Sequence, residues 1–205
     1  MLENIQPQIQ WLVIPGSYLI GSVSWGLIIG KLARGIDVRQ HGSGSTGSTN
    51  VLRTLGTRLG ALVFLLDVAK GVLATIAAKL LGDEPLLEGL AALSVIIGHN
   101  WPIFSRFQGG RGIASAVGAL TILAPVSTVA AVAVFIPAVL ITRYVSLGSL
   151  LAVSSAIITM PILAFTGMAH WEYLAYTMIG GPLIILRHKE NIRRLIEGSE
   201  RRLSF

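Results

Sequence analysis

The sequence predicts an all-α integral membrane protein with about seven transmembrane helices, two of them short, an external N-terminus and a cytoplasmic C-terminus. Of its 205 residues, 53% are hydrophobic and only 13% are charged, whereas a soluble domain carries roughly twice that charged fraction. The apolar residues also form long runs. The formal net charge of +6 is therefore expected to reflect basic cytoplasmic loops, and no nucleic-acid partner is predicted.

Seven apolar segments alternate with polar loops along the chain. A helix needs about 20 residues to cross a bilayer, and the third and fourth segments are shorter than that. Short spans are tolerated where they line a cavity enclosed by protein, so these two are expected to flank the functional site. The segments cover approximately residues 9–32, 58–81, 86–99, 111–124, 126–142, 147–166 and 171–187.

The distribution of Lys and Arg predicts the orientation of these spans. Basic loops alternate with base-free loops through all seven crossings, beginning with a basic loop after the first span and ending with a basic C-terminal tail. Loops with many Lys and Arg residues stay in the cytoplasm. The unusual polar stretches at 42–53, 98–112 and 187–198, and the loop around Ser146, are therefore predicted to share the cytoplasmic face.

The stretch GSGSTGSTN at 42–50 is the first candidate site. Its small residues would let successive backbone N–H groups converge on one anion, while hydroxyl groups and Asn50 add donors. Thr49 or Asn50 could cap a following helix and place Arg53 one turn inside it. No Lys follows the glycines as a nucleotide-binding P-loop requires. A flexible Gly/Ser linker is the alternative that composition alone leaves open.

The second candidate is the loop GHNWPIFSRFQGGRG at 98–112. Gly109 and Gly110 followed by Arg111 resemble a backbone nest with a guanidinium beside it, which suits phosphate. His99 ends an apolar run, where a helix-terminal hydrogen bond is the simpler role and catalysis the alternative.

The third candidate is RHKENIRRL at 187–195. Helical spacing places His188 beside Asn191, and Arg187 on a face that overlaps that of Arg194. A basic helix attracted to anionic headgroups is the simpler interpretation, but it explains the His and the Asn less well.

Polar residues also occur within or beside the apolar segments. Asp67 and Lys70 are three residues apart in the second segment, where a structural ion pair is favoured over a substrate contact. Ser146 and Ser149 begin the sixth segment and could serve as helix N-caps or as donors to a bound oxygen.

Taken together, the three stretches resemble the bacterial acyl-phosphate:glycerol-3-phosphate acyltransferases. The resemblance rests on GSGSTGSTNVLR at 42–53, GHNWPIFSRFQGGRG at 98–112 and RHKENIRRLIEGSE at 187–200, in this order along the whole chain. It implies a single membrane-embedded acyltransferase domain over residues 1–205. It also implies a multi-pass protein of the bacterial inner (plasma) membrane, with its active site on the cytoplasmic face.

The resemblance implies a particular reaction. A long-chain acyl group would pass from acyl phosphate to the 1-hydroxyl of sn-glycerol 3-phosphate, giving lysophosphatidic acid and inorganic phosphate as the first step of phospholipid synthesis. No metal or other cofactor is expected. The acyl chain would lie in the lipid bilayer between helices, and a soluble acyl-phosphate synthase would supply the donor.

The resemblance also implies site residues. Catalytic roles fall to Ser43, Arg53, Arg111, Ser149, His188 and Asn191, of which the last three would orient the glycerol moiety. His99, Ser146 and Arg187 are secondary candidates. The residues expected to bind substrate phosphate are Gly42, Gly44, Ser45, Gly47, Thr49, Asn50, Gly109 and Gly110.

Four positions depart from the usual pattern of that family. Ser45 and Ser48 stand where Asn and Ala are usual, Gln108 stands where a Lys is usual, and Arg111 replaces a second Lys. The change at 111 keeps the charge but alters the geometry of phosphate binding, because a guanidinium donates in a planar fork and an ammonium does not.

Two other classes of protein are compatible with parts of the sequence. A small anion transporter or channel would also use short helices and buried charges, but no internal repeat is found and the polar groups cluster on one side. A phosphatidyltransferase would hold a divalent metal with clustered carboxylates, whereas Asp37 and Asp67 are isolated here.

Overall fold

The chain folds into a bundle of α-helices in the computed structural model, which describes residues 7–203. Within that range there are helices, three short 3₁₀ turns and loops, and no β-strand. The first half contains α1 (Pro7–Gln10), α2 (Val13–Ser22), α3 (Trp25–Arg34), α4 (Ser48–Leu55), α5 (Thr57–Gly82) and α6 (Pro85–Asn100). The second half contains α7 (Ile113–Leu123), α8 (Pro125–Thr142), α9 (Val145–Phe165), α10 (Leu174–Arg187) and α11 (Lys189–Ile196).

Five segments among the described residues are long and apolar enough to cross a membrane, and α7 is a shorter apolar helix. The outward faces of these helices are hydrophobic: Leu65, Ile141 and Phe165 are all exposed. Water would not favour such a surface, but lipid does. The five segments are Val13–Arg34, Thr57–Gly82, Pro85–Ser105, Pro125–Thr142 and Val145–Phe165.

The predicted segments need two corrections. The segment predicted at 86–99 is not short, because a 3₁₀ turn at Ile103–Ser105 extends it to 21 residues. The segment predicted as continuous over 9–32 is broken between Ser22 and Trp25, so that α2 and α3 are separate helices. The segment at 111–124 is short, with 11 helical residues.

The break between α2 and α3 explains the buried Lys70. The ammonium group of Lys70 donates hydrogen bonds to the carbonyl oxygens of Gly21 (3.0 Å) and Val23 (3.1 Å), where the helical pattern is interrupted. It also lies 2.9 Å from Oδ1 of Asp67. Carbonyl groups freed inside an apolar bundle need a donor, so Lys70 stabilises the break and is not left free for substrate.

Close helix packing brings the elements of the site together. Gly71 of α5 and Gly118 of α7 contact the backbone of the opposite helix, so that a Cβ at either position would overlap a carbonyl oxygen. The principal core lies between α6, α7, α9 and α10 and includes Ile96, Leu120 and Met160. This packing places the N-termini of α7 and α9 beside the C-termini of α6 and α10, at one end of the bundle.

Candidate active site

A polar cavity of about 130 Å³ opens at that end of the bundle. It draws residues from all three predicted stretches and from the start of α9, although these are far apart in sequence. Its lining residues are Ser43, Ser45, Gly47, Ser48, Thr49, Asn50, Arg53, Phe64, Asp67, His99, Arg111, Gly112, Ile113, Ala114, Phe135, Val145, Ser146, Ser149, His188, Asn191 and Glu200.

The glycine loop on one wall is wrapped around the side chain of Asn50, which is 2% exposed. Oδ1 of Asn50 accepts a hydrogen bond from the backbone N–H of Ser43 (2.7 Å). Its Nδ2 lies 2.8–3.1 Å from three backbone carbonyls, those of Val38, His41 and Ser45. Asn50 therefore organises the loop, and it also lines the cavity.

Two glycines of this loop shape the turn without lining the cavity. Gly42 and Gly44 have positive φ angles of 60° and 72°, which favour glycine. A Cβ at Gly42 would in addition overlap Oδ1 of Asn50. Their phosphate-binding role stays a prediction. The structure shows their conformational role, which is to allow the positive φ angles of the turn.

Helix α4 begins at Ser48, directly after the glycine loop, and carries Arg53 to the cavity. Burial lowers the pKa of Arg53, an effect that the charge of Glu200 opposes. The guanidinium donates one hydrogen bond, from Nη2 to the carbonyl oxygen of Arg201 (3.1 Å). Its other donors remain available to a ligand in the cavity.

Arg111 brings a second guanidinium to the cavity. No oxygen among residues 7–203 accepts a hydrogen bond from its guanidinium, although it lines the cavity beside Arg53. Burial lowers the pKa of Arg111 to about 10, and nearby Arg side chains add to this while Glu200 opposes it. At neutral pH the side chain is therefore a charged fork of donors in a partly buried site, suited to an anionic oxygen group.

The loop that contains Arg111 is held from behind. Arg187 donates hydrogen bonds to the carbonyl oxygens of Gly109 (3.4 Å) and Gly110 (3.1 Å), and its guanidinium stacks 5.5 Å from the ring centre of Trp101. Gly109, Gly110 and Arg187 do not line the cavity. In this structure they fix the loop backbone and leave the contact with the cavity to Arg111.

His188 and Asn191 lie on the opposite wall. Nδ1 of His188 is 2.8 Å from the carbonyl oxygen of Ile184; because a carbonyl only accepts, Nδ1 carries the proton and Nε2 is left as an acceptor. Burial lowers the pKa of His188 to about 4, so the ring is neutral at pH 7. Asn191 is 1% exposed, and its Oδ1 has no partner among the described residues.

A buried carboxylate, Glu200, also lies in this wall, and the sequence analysis gave it no role. Its Oε1 accepts hydrogen bonds from Ser146 (2.8 Å) and Asn191 (2.8 Å), and its Oε2 accepts one from Arg194 (2.7 Å). Burial alone would raise the pKa of Glu200, but these hydrogen bonds lower it. The signal available in the sequence was an acidic residue inside a strongly basic tail, at the last position of the RHKENIRRLIEGSE stretch.

The remaining predicted residues also have defined places. Ser149 lines the cavity, and its hydroxyl donates to the carbonyl oxygen of Val145 (2.8 Å) as an internal helix bond. Neither Ser146 nor Ser149 caps α9, because the helix begins at Val145 before both. His99 and Asp67 meet at the cavity, with Nδ1 of His99 3.6 Å from Oδ1 of Asp67.

The fold and this cavity define an all-α integral membrane protein with cations and hydroxyl groups gathered at one end of the bundle. The chain belongs to the glycerol-3-phosphate acyltransferase family, because the family model of that description matches residues 11–198. It is therefore an acyltransferase.

Individual relatives agree over nearly the whole chain. The sequence is 41% identical over 198 residues to a glycerol-3-phosphate acyltransferase of Halalkalibacterium halodurans, covering 96% of both chains. It is 44% identical over 192 residues to that of Clostridioides difficile, covering 91% of this chain and 92% of the relative. The fold matches the crystal structure of PlsY (YgiH), an integral membrane glycerol 3-phosphate acyltransferase in its glycerol 3-phosphate form, with a TM-score of 0.88, 37% identity and 96% of both chains covered. The lysophosphatidic acid form matches with a TM-score of 0.85.

Proposed function

We propose that this protein transfers a long-chain acyl group from acyl phosphate to the 1-hydroxyl of sn-glycerol 3-phosphate. The products are lysophosphatidic acid and inorganic phosphate, in the first step of phospholipid synthesis. The observation that carries the proposal is the guanidinium of Arg111, which faces a cavity rich in donors and has no acceptor within the described chain. Both substrates carry the phosphate that such a site would hold.

The donor phosphate is assigned to the wall formed by the glycine loop and α4. Arg53 brings a positive charge to this wall, which Ser43, Ser45 and Thr49 also line. Arg111 lines the same cavity from the loop before α7 and is assigned to one of the two substrate phosphates. Negative charge grows on the donor phosphate as it leaves, so donors aimed at it lower the barrier to acyl transfer. The glycine loop is held in position before substrate binds, because Asn50 accepts a hydrogen bond from the backbone N–H of Ser43.

The acceptor is assigned to the wall formed by α9, α10 and α11. Nε2 of His188 and Oδ1 of Asn191 are acceptors for glycerol hydroxyl groups, and Ser149 lies nearby. An imidazole with a pKa of about 4 is a weak base at neutral pH. His188 is therefore given a positioning role.

The chemical step needs no covalent enzyme intermediate. The 1-hydroxyl oxygen bonds to the acyl carbon, the bond from that carbon to the phosphate oxygen breaks, and the hydroxyl proton passes to the departing phosphate. Acyl phosphate is already activated, so positioning and charge stabilisation carry the catalysis.

The protein's setting follows from the same proposal. Seven crossings, an external N-terminus and a cytoplasmic active site in the inner membrane fit the distribution of Lys and Arg. The long acyl chain would remain among the helices, where an apolar cavity of about 50 Å³ lies between α6, α7, α8, α9 and α10. A soluble acyl-phosphate synthase would deliver the donor from the cytoplasm.

The test uses purified protein in detergent with palmitoyl phosphate and glycerol 3-phosphate, in buffer with EDTA. Phosphate and lysophosphatidic acid should appear in equal amounts, and both should depend on the acceptor. Folded protein that yields neither product would overturn the proposal, and anion flux in liposomes would then test the transporter alternative.

A further inference from the structure

We propose that His99, held by Asp67, is a positioning residue that sets the place of Arg111 in the cavity. The inference rests on the proposed function, since it takes Arg111 as a phosphate ligand. The guanidinium of Arg111 has no hydrogen bond to residues 7–203, so other contacts must hold the residue in position.

The imidazole of His99 is fixed by groups from two neighbouring helices. Its Nδ1 lies 3.3 Å from the hydroxyl oxygen of Ser115 on α7 and 3.6 Å from Oδ1 of Asp67 on α5. His99 is 6% exposed, and Asp67 is 1% exposed. The hydrogen bond with Ser115 and the buried carboxylate of Asp67 both act on Nδ1 and orient this edge of the ring.

Asp67 is itself anchored. Its Oδ1 pairs with Lys70, which in turn holds the carbonyl oxygens at the break between α2 and α3. Truncation of one partner in a buried ion pair leaves the other charge uncompensated. Asp67 and Lys70 therefore connect the imidazole to the break between α2 and α3.

The other side of the imidazole carries the loop. A Cβ on Gly110 would overlap Nε2 of His99, so the Gly110 backbone lies directly against the ring. The N–H of Gly110 also donates to the carbonyl oxygen of His99 (3.1 Å). Arg187 holds the Gly110 carbonyl from outside. Gly110 is thus held by the ring, by a backbone bond and by a guanidinium.

Arg111 is the next residue after Gly110, and its side chain has no acceptor of its own among residues 7–203. Its position is therefore set through its backbone. Of the three groups that hold Gly110, the ring of His99 is the one that contacts Asp67 and also lines the cavity. Removal of the ring is expected to leave the Arg111 charge in place but poorly aimed.

The experiment measures kcat and both KM values, for palmitoyl phosphate and for glycerol 3-phosphate, in wild type, His99→Gln, Arg111→Gln and the double variant. Arg111→Gln should raise one KM about ten- to hundredfold, as expected for the loss of a charge-assisted hydrogen bond. His99→Gln should raise the same KM by a smaller factor, about five- to tenfold, and the double variant should be no worse than Arg111→Gln alone. Whichever KM rises identifies the phosphate that Arg111 holds.

The outcomes separate the inference from the function. If Arg111→Gln changes neither KM nor kcat, the phosphate site itself is wrong. If Arg111→Gln has its effect while His99→Gln changes nothing, raises the other KM, or multiplies with Arg111→Gln, the positioning role is wrong. His170→Gln, an exposed His at the opposite end of the bundle, is the matched control and should match wild type.

A second variant covers the case in which His99→Gln does not fold. Gly110→Ala acts from the loop side, where its Cβ would displace the imidazole, and should raise the same KM without adding to Arg111→Gln. Gly16→Ala is its control, because a Cβ there meets nothing within 4 Å. Unchanged KM values in folded Gly110→Ala would overturn the inference.

Discussion

The backbone N–H of Ser43 donates a 2.7 Å hydrogen bond to the side-chain oxygen of Asn50, seven residues further along the chain. This bond closes the glycine loop at the point where it enters the cavity. The amide nitrogen of Asn50 faces three backbone carbonyls, that of Ser45 within the loop and those of Val38 and His41 just before it. Asn50 thus acts as the internal support of the wall that we assign to the donor phosphate.

Substitution of Asn50 should therefore damage the loop as well as the reaction. Asn50→Ala removes all of these bonds, and we expect it to abolish transfer and to lower the free energy of unfolding by about 2–4 kcal/mol, at about 1 kcal/mol for each hydrogen bond. Asn50→Asp keeps the acceptor for Ser43 but loses the Nδ2 donors. Product formation and thermal unfolding in detergent measure both effects; wild-type rates in Asn50→Asp would show that the donor bonds are dispensable.

Substitution of Arg53 or Arg111 should reduce the rate of acyl transfer, and at Arg111 the loss should depend on whether the new side chain keeps the charge. Arg53→Ala and Arg111→Ala should each reduce kcat/KM by about 10- to 100-fold, because a charge-assisted hydrogen bond to phosphate contributes about 1.5–3 kcal/mol. Arg111→Lys keeps the charge and should retain more activity than Arg111→Ala. Steady-state kinetics on the three variants are the measurement. Equal losses in both Arg111 variants would mean that planar, two-point contact matters more than charge.

Glu200 should be required for a stable site. Glu200→Gln loses the charge that pairs with Arg194 and disturbs the acceptor shared by Ser146 and Asn191. We expect a lower unfolding temperature and reduced activity, since the buried carboxylate of Glu200 compensates Arg194, whose side chain is only 26% exposed. The matched control is Glu197→Gln, a half-exposed residue whose carboxylate lies 3.9 Å from Arg193. Equal unfolding temperatures for the two variants would contradict the role of Glu200.

Acid should destabilise the protein partly through His188. Its folded pKa of about 4 lies below the ordinary value of 6.5, so the unfolded chain binds the proton first as the pH falls. The contribution is intact above pH 6.5 and declines by up to about 3 kcal/mol as the pH falls towards 4. Thermal unfolding in detergent across this range should show a steeper decline for wild type than for His188→Gln. Parallel declines would mean that His188 is not buried as a neutral ring.

The sequence by itself determined the class of protein and most of the cavity lining. Long apolar runs need lipid around them wherever they pack, so composition was enough to predict a membrane protein. The three polar stretches were predicted to share one end of the bundle, and Ser43, Arg53, Arg111, His188 and Asn191 all line one cavity. That prediction came from the alternation of basic and base-free loops. The side of the membrane on which a loop lies depends only on the order of spans and loops along the chain.

Only the tertiary structure decided how each polar side chain is used. The side chain of Asn50 bonds to the backbone around its own loop, and Arg187 donates to the carbonyl of Gly110. Glu200, from the C-terminal tail, accepts a hydrogen bond from Asn191 at the cavity. Lys70 stabilises a helix break that the continuous apolar run of the first segment did not reveal. These outcomes depend on partners from distant parts of the chain, since a buried donor or acceptor must find whichever group the packing brings within about 3 Å.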